Sequence, residues 1–137
     1  MGAEALCRGA ALVVGIEQSG HACQVIQQNW QQVAQDSQLF RVIRGNVTHR
    51  LSDLTGQQFD RIYFDPPYAS ELYEPTLAAI VAYHLLAPGG ELAVEHSPDR
   101  TLAPPPAALE AYRQKVYGNT ALTFYRPYLH SYPTQTD

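Results

Sequence analysis

The order in which strand-like and helix-like stretches follow one another constrains this chain most. "ALVVGIE" (Ala11 to Glu17), "LFRVIRG", "FDRIYFD" and "ELAVEHS" are short runs rich in Val, Ile, Leu and Phe. Between them the apolar spacing turns helical. "HACQVIQQNWQQVAQ" places Ala22, Val25, Ile26, Asn29, Trp30 and Val33 at amphipathic intervals, and "VTHRLSDL" is a short helix closed by Gly56. "LYEPTLAAIVAYHLL" carries Pro75 in its first turn and "APGG" as its stop. Such alternation predicts an open, mostly parallel sheet with helices on both faces, the "ALVVGIE" strand being buried on both sides. Further on, "PDRTLAPPPAALEAYRQ" is expected to mix a proline-rich loop with a short helix. "KVYGNTALTFYR" is expected to form an antiparallel hairpin at one edge, turning at Gly118-Asn119. The length suits one domain over residues 1–137, with 127–137 a loose tail.

Right-handed crossovers return parallel strands in one direction, so their carboxyl ends line up along the edge where ligands bind. Three expected strands reach that edge on polar groups: Glu17, Asn46 and Asp65. Each also has a plain structural reading, as a solvated strand end, a helix N-cap and a turn residue respectively. "YFDPPYAS" narrows the choice for Asp65. Proline has no N–H, so Pro66 and Pro67 cannot extend the ladder, and each keeps the residue before it extended. A rigid prow results, with the Asp65 carboxylate and the Pro66 carbonyl as outward acceptors. Two acceptors beside the Tyr68 ring suit an exocyclic amine on a planar base, held so that its lone pair faces an electrophile.

Composition limits the alternatives. A formal charge of −4 argues against an indiscriminate nucleic-acid binder, although eight of the nine basic residues are Arg, which both pairs with phosphate and stacks on bases. Cys7 and Cys23 lack metal-site spacing, so no metal is expected and idle or buried thiols in a reducing cytoplasm are. No apolar run approaches the roughly 20 residues of a membrane span. The start has no secretory pattern, and no Ser/His/Asp or Cys/His nucleophile set emerges.

Asp65-Pro66-Pro67-Tyr68 after "RIYF" resembles the catalytic motif of S-adenosylmethionine-dependent amino methyltransferases. Together with "GAEALCRGA", "GIEQSGHA", "RGN", "LLAPGGELAVEHS" and "KVYGNTALTFY", it makes Gly2 to Arg126 similar to the RsmD-type 16S rRNA (guanine-N2)-methyltransferases. The resemblance implies a Rossmann-like class I methyltransferase sheet, mostly parallel with an antiparallel C-terminal hairpin. It implies S-adenosyl-L-methionine as cofactor and ribosomal RNA as partner. Glu17 would hold the ribose hydroxyls, and Asn46 would lie near the adenine amine, where family members often have Asp. Gly2 would be the last glycine of a loop around the methionine part. Asp65 and Pro66 would grip a guanine N2 amine with Tyr68 packed against it, and Asp65 would take the surplus proton. Rival readings are methylation of another planar amine, such as adenine N6 in DNA or a glutamine amide, and a non-catalytic truncated remnant. A dinucleotide dehydrogenase is more distant, because no G-x-G-x-x-G fingerprint is present.

Measured against that family, the sequence starts inside the glycine loop, and the first strand is expected to be missing. That strand lies mid-sheet in the family, so the strands ending at Glu17 and Asp65 should be left with unpaired edges, the fold marginal and cofactor binding weak. The expected outcome of sequencing upstream of Met1 is an in-frame stretch encoding an apolar strand and a glycine-rich turn. Stop codons there would favour the remnant reading.

Overall fold

The computed structural model describes residues 13–17, 19–33, 40–66 and 71–128. They fall into two compact units, the first ending at Arg50 and the second beginning at Leu51. In the first unit, β1 (Val13–Glu17) and β2 (Phe40–Arg44) pair in parallel, with Gly15 opposite Val42 and Glu17 opposite Arg44. Helix α1 (Gly20–Val33) makes the crossover between them. Ser19 starts it as an N-cap, its hydroxyl accepting the Ala22 N–H at 3.2 Å. Among the described side chains of α1 the buried one is Trp30, which lies over β1 and meets Phe40 edge-to-face at 5.9 Å. Only a glycine at position 15 permits this approach, since a Cβ there would stand 2.8 Å from Trp30 Cη2. Residues 14–17 are half-buried, not covered on both faces as the apolar run suggested. Among the described residues β1 has a single strand neighbour, β2.

Past β2 the chain enters α2 (Val47–Arg50), which begins the short helix expected in "VTHRLSDL". The second unit opens with a 3₁₀ turn, Leu51–Leu54, followed by a turn with Gly56 at φ 95°. Four strands then form one sheet in the order β3-β4-β6-β5: β3 (Phe59–Phe64), β4 (Leu86–His96), β5 (Leu109–Tyr117) and β6 (Thr120–Pro127). β3 and β4 are parallel, whereas β6 runs antiparallel to both β4 and β5. Alternation along β4 buries Leu92, Val94 and His96 on one face. Helix α3 (Tyr73–Ala82) packs on that side, Tyr73 meeting Phe64 edge-to-face at 5.9 Å. Among the described residues β3, like β1, has one strand neighbour.

Three expectations need correction. Leu109–Gln114 is strand, not helix, because it continues the ladder to β6 down to the Leu109–Pro127 pair. "APGG" does not stop α3, which ends at Ala82, but lies within β4. The stop is a Schellman motif: the His84 N–H bonds the Val81 oxygen at 3.1 Å and the Leu85 N–H bonds the Ile80 oxygen at 3.0 Å. Buried Ile80 and Leu85 accompany it, and His84 occupies the left-handed position, φ 54°, usually given to glycine. The first residue of the expected tail at 127–137 belongs to the sheet. Pro127 closes β6, the Tyr128 N–H bonds the Ala108 oxygen at 2.8 Å, and the remainder lies outside the described residues. The turn at Gly118-Asn119 is as expected, with Tyr117 opposite Thr120 and Gly118 at φ 53°.

Two substitutions of opposite sign test this account by thermal unfolding. Gly15→Ala should destabilise by about 1–3 kcal/mol, because Trp30 must leave its rotamer. His84→Gly should stabilise by about 1 kcal/mol, because a left-handed L-residue costs more than the extra chain entropy of glycine.

Candidate functional site

Polar residues gather at the carboxyl ends of the parallel strands in each unit. In the first, the Gly45 N–H bonds the Glu17 carbonyl oxygen at 2.9 Å, tying the two strand ends together. Glu17 Oε1 accepts the Ser19 N–H at 3.1 Å, and the Cys23 thiol donates to the Glu17 carbonyl oxygen at 3.3 Å. No described residue engages Glu17 Oε2, so one carboxylate oxygen can receive a hydroxyl donor. Asn46 is the N-cap of α2. Its Oδ1 accepts the Thr48 N–H at 2.9 Å and the Thr48 hydroxyl at 2.7 Å. With that oxygen doubly engaged, the Asn46 amide nitrogen is the better placed group to meet a ligand, and it is a donor.

In the second unit β3 stops at Phe64, and Asp65 follows as an exposed residue backed by buried Pro66. The expected end of the ladder is observed, since pairing with β4 finishes at Phe64–Val94. Gly2, Pro67 and Tyr68, the other expected site residues, lie outside the described residues.

The sheet brings Asp65 a neighbour that the sequence did not reveal. Because Phe64 lies opposite Val94, the next residues of the two parallel strands, Asp65 and Glu95, come side by side. Partial loss of hydration, the Glu95 charge and a hydrogen bond with Glu95 together raise the Asp65 pKa above its usual value. Glu95 is itself held. The Tyr63 hydroxyl donates to Oε2 at 2.6 Å, and the Tyr73 hydroxyl donates to the Glu95 carbonyl oxygen at 3.0 Å. Arg100 stacks its guanidinium over the Tyr73 ring at 4.4 Å. Strand periodicity alone carried no sign of this cluster, because it depends on which strand pairs with which and in what register.

His96 faces away from it. Its Nδ1 lies 2.9 Å from the Ser97 oxygen and its Nε2 lies 2.7 Å from Thr123 Oγ1, so both ring nitrogens are engaged in the core. A cavity of about 300 Å³ between α3 and the proline-rich loop is lined largely by apolar groups, among them Leu77, Val94, Pro104 and Tyr125. No described group of three or more His, Cys, Asp or Glu residues could hold a metal ion, and no described helix is long and apolar enough to cross a membrane.

Several solved structures resemble the chain over most of its length. A candidate methylase from Haemophilus influenzae is 25% identical, with a TM-score of 0.78 over 90% of this chain and 77% of its own. The candidate methyltransferase YhhF from Escherichia coli is 28% identical, with a TM-score of 0.81 over 93% of this chain and 70% of its own. A conserved hypothetical protein from Streptococcus pyogenes is 29% identical, with a TM-score of 0.82 over 93% of this chain and 79% of its own. No curated protein matches the sequence. The mixed sheet with its closing antiparallel hairpin is therefore a methyltransferase-like α/β fold. The model of the family described as conserved hypothetical protein 95 matches residues 1–126, and the chain belongs to that family.

Proposed function

We propose that this chain methylates the N2 amine of a guanine in small-subunit ribosomal RNA, in the cytoplasm, using S-adenosyl-L-methionine. The observation that carries the reading is the end of β3, where an exposed Asp65 and a buried Pro66 terminate the ladder of a methyltransferase-like sheet. The cofactor, when bound, supplies a methyl group on a positively charged sulfur. Every other requirement falls on the chain's own residues.

The amine has two N–H donors and one lone pair. Asp65 accepts one hydrogen and the Pro66 carbonyl accepts the other, which leaves the lone pair free to attack in line. As the N–C bond forms, nitrogen becomes cationic, and Asp65 is placed to remove its surplus proton. Tyr68 would stack on a base extruded from the RNA. Glu17 suits the ribose hydroxyls of the cofactor, because Oε2 is open to a donor. Asn46 fits the adenine in a way different from an aspartate. Its engaged oxygen does not suit the adenine amine, whereas its amide N–H groups suit a ring nitrogen.

The test is transfer of labelled methyl from the cofactor to small ribosomal subunits assembled on unmodified 16S rRNA transcript, followed by nucleoside analysis. Label should be recovered in N2-methylguanosine. Asp65→Ala should lower the rate on the order of a hundredfold or more while cofactor affinity changes little, by analogy with loss of one preorganised group at a reacting centre. Label in another nucleoside, or near-normal turnover by Asp65→Ala, would overturn the reading.

A further inference from the structure

Two acids of the sheet pair with arginines. Along one face, Arg61 and Glu91 pair at 2.9 Å, and Glu110 binds Arg126 at 2.6 Å on the neighbouring strands. Glu95 accepts the neutral Tyr63 hydroxyl, and its neighbour across the two strands is another acid, Asp65. The approach is imposed by backbone register. Arg61, Tyr63 and Asp65 share one side of β3, and their partners put Glu91, Ala93 and Glu95 on the same side of β4. On the other flank of Glu95, β6 contributes Leu122, which brings no charge. From α3 comes the Tyr73 hydroxyl and, from the loop after β4, Arg100 stacked on that ring. His96 faces the opposite side.

We propose that Glu95 is the second carboxylate of the methyl-transfer site, a positioning residue that accepts a hydrogen bond from Asp65 once Asp65 has taken the proton of the methylated amine. The inference rests on the reading of Asp65 as the group that meets the amine. In the step, the methyl carbon forms its bond to the amine nitrogen as the carbon–sulfur bond breaks, and the bonding pair stays on sulfur. The cationic nitrogen then gives one proton to the Asp65 carboxylate. Glu95 favours that transfer twice over: its charge makes Asp65 more basic, and an oxygen of its carboxylate receives the new Asp65 O–H. The Tyr63 hydroxyl fixes Glu95 through Oε2. Return of the proton to solvent resets the pair.

The sign of the pH dependence follows. Asp65 must be ionised to accept a proton, so transfer is lost as pH falls through its raised pKa. Glu95→Gln removes the repulsion but keeps the shape, so the acid limb should move to lower pH. Burial, the largest cause of the shift, remains in the variant, and the limb moves only part of the way. The rate on the plateau should fall on the order of tenfold, because the proton acceptor is weaker.

Two measurements on the full chain decide the matter. Carbon-13 carboxyl signals should show Asp65 titrating above the usual aspartate range in the unaltered protein and at lower pH in Glu95→Gln. Methyl transfer to the unmodified small subunits should show the displaced acid limb in the same variant. An Asp65 titration left unmoved by Glu95→Gln would overturn the proposal without any assay of activity. A Glu95→Gln limb that does not move, beside an inactive Asp65→Ala, would overturn this inference alone. An Asp65→Ala enzyme that still transfers methyl would instead remove the reading beneath it.

Discussion

The parallel ladder between β3 and β4 is the interaction on which the placement of Asp65 and Glu95 depends. Four consecutive pairs, Arg61–Glu91 to Phe64–Val94, fix the register, and the proline after Asp65 ends it. A pair further on, a slip of one residue would turn Asp65 or Glu95 to the opposite face. Tyr73 reinforces the arrangement from above, with its ring against Phe64 and its hydroxyl on the Glu95 backbone. One aromatic residue of α3 thus anchors both strands at the level where they stop.

Much of this was legible in the sequence because it rests on local chemistry. Strands β1 to β4, the crossover helices and the Gly118-Asn119 turn announce themselves through apolar runs, helical spacing and φ-permissive residues. Asp65 was legible for the same reason, since two prolines after a strand leave few options. Where expectation failed, a distant partner overrode a local preference. Leu109–Gln114 contains Glu, Ala, Arg and Gln, all good helix formers, yet hydrogen bonds to β6 make it a strand. Helix α3 ends at a histidine in a glycine's conformation, because the Ile80 and Leu85 side chains and two backbone bonds hold the stop in place. Glu95 was invisible because an acid near the end of "ELAVEHS" has no meaning until β3 is laid beside it.

Asn46 satisfies its structural reading as an N-cap, and the cap decides which of its polar atoms remains for a ligand. The cap consumes its oxygen, which an aspartate could share between two roles through its second oxygen. Its nitrogen is left over, and the polarity of whatever it meets must be reversed. Sequence resemblance placed the residue, whereas the hydrogen bonds specify which of its two ends is available.

The start of β4 carries slack that its end does not. Phe59 lies opposite Leu86 and Arg61 opposite Glu91, so β4 spends five residues where β3 spends two. Pro88 and Gly89 are exposed within that excess, and Gly89 has the positive φ of a chain turning out of the ladder. Surplus length is therefore absorbed at the amino-terminal end of the strand, upstream of the four fixed pairs. A residue inserted or removed in that stretch would leave the two carboxylates abreast, whereas one inserted between Glu91 and Glu95 would not.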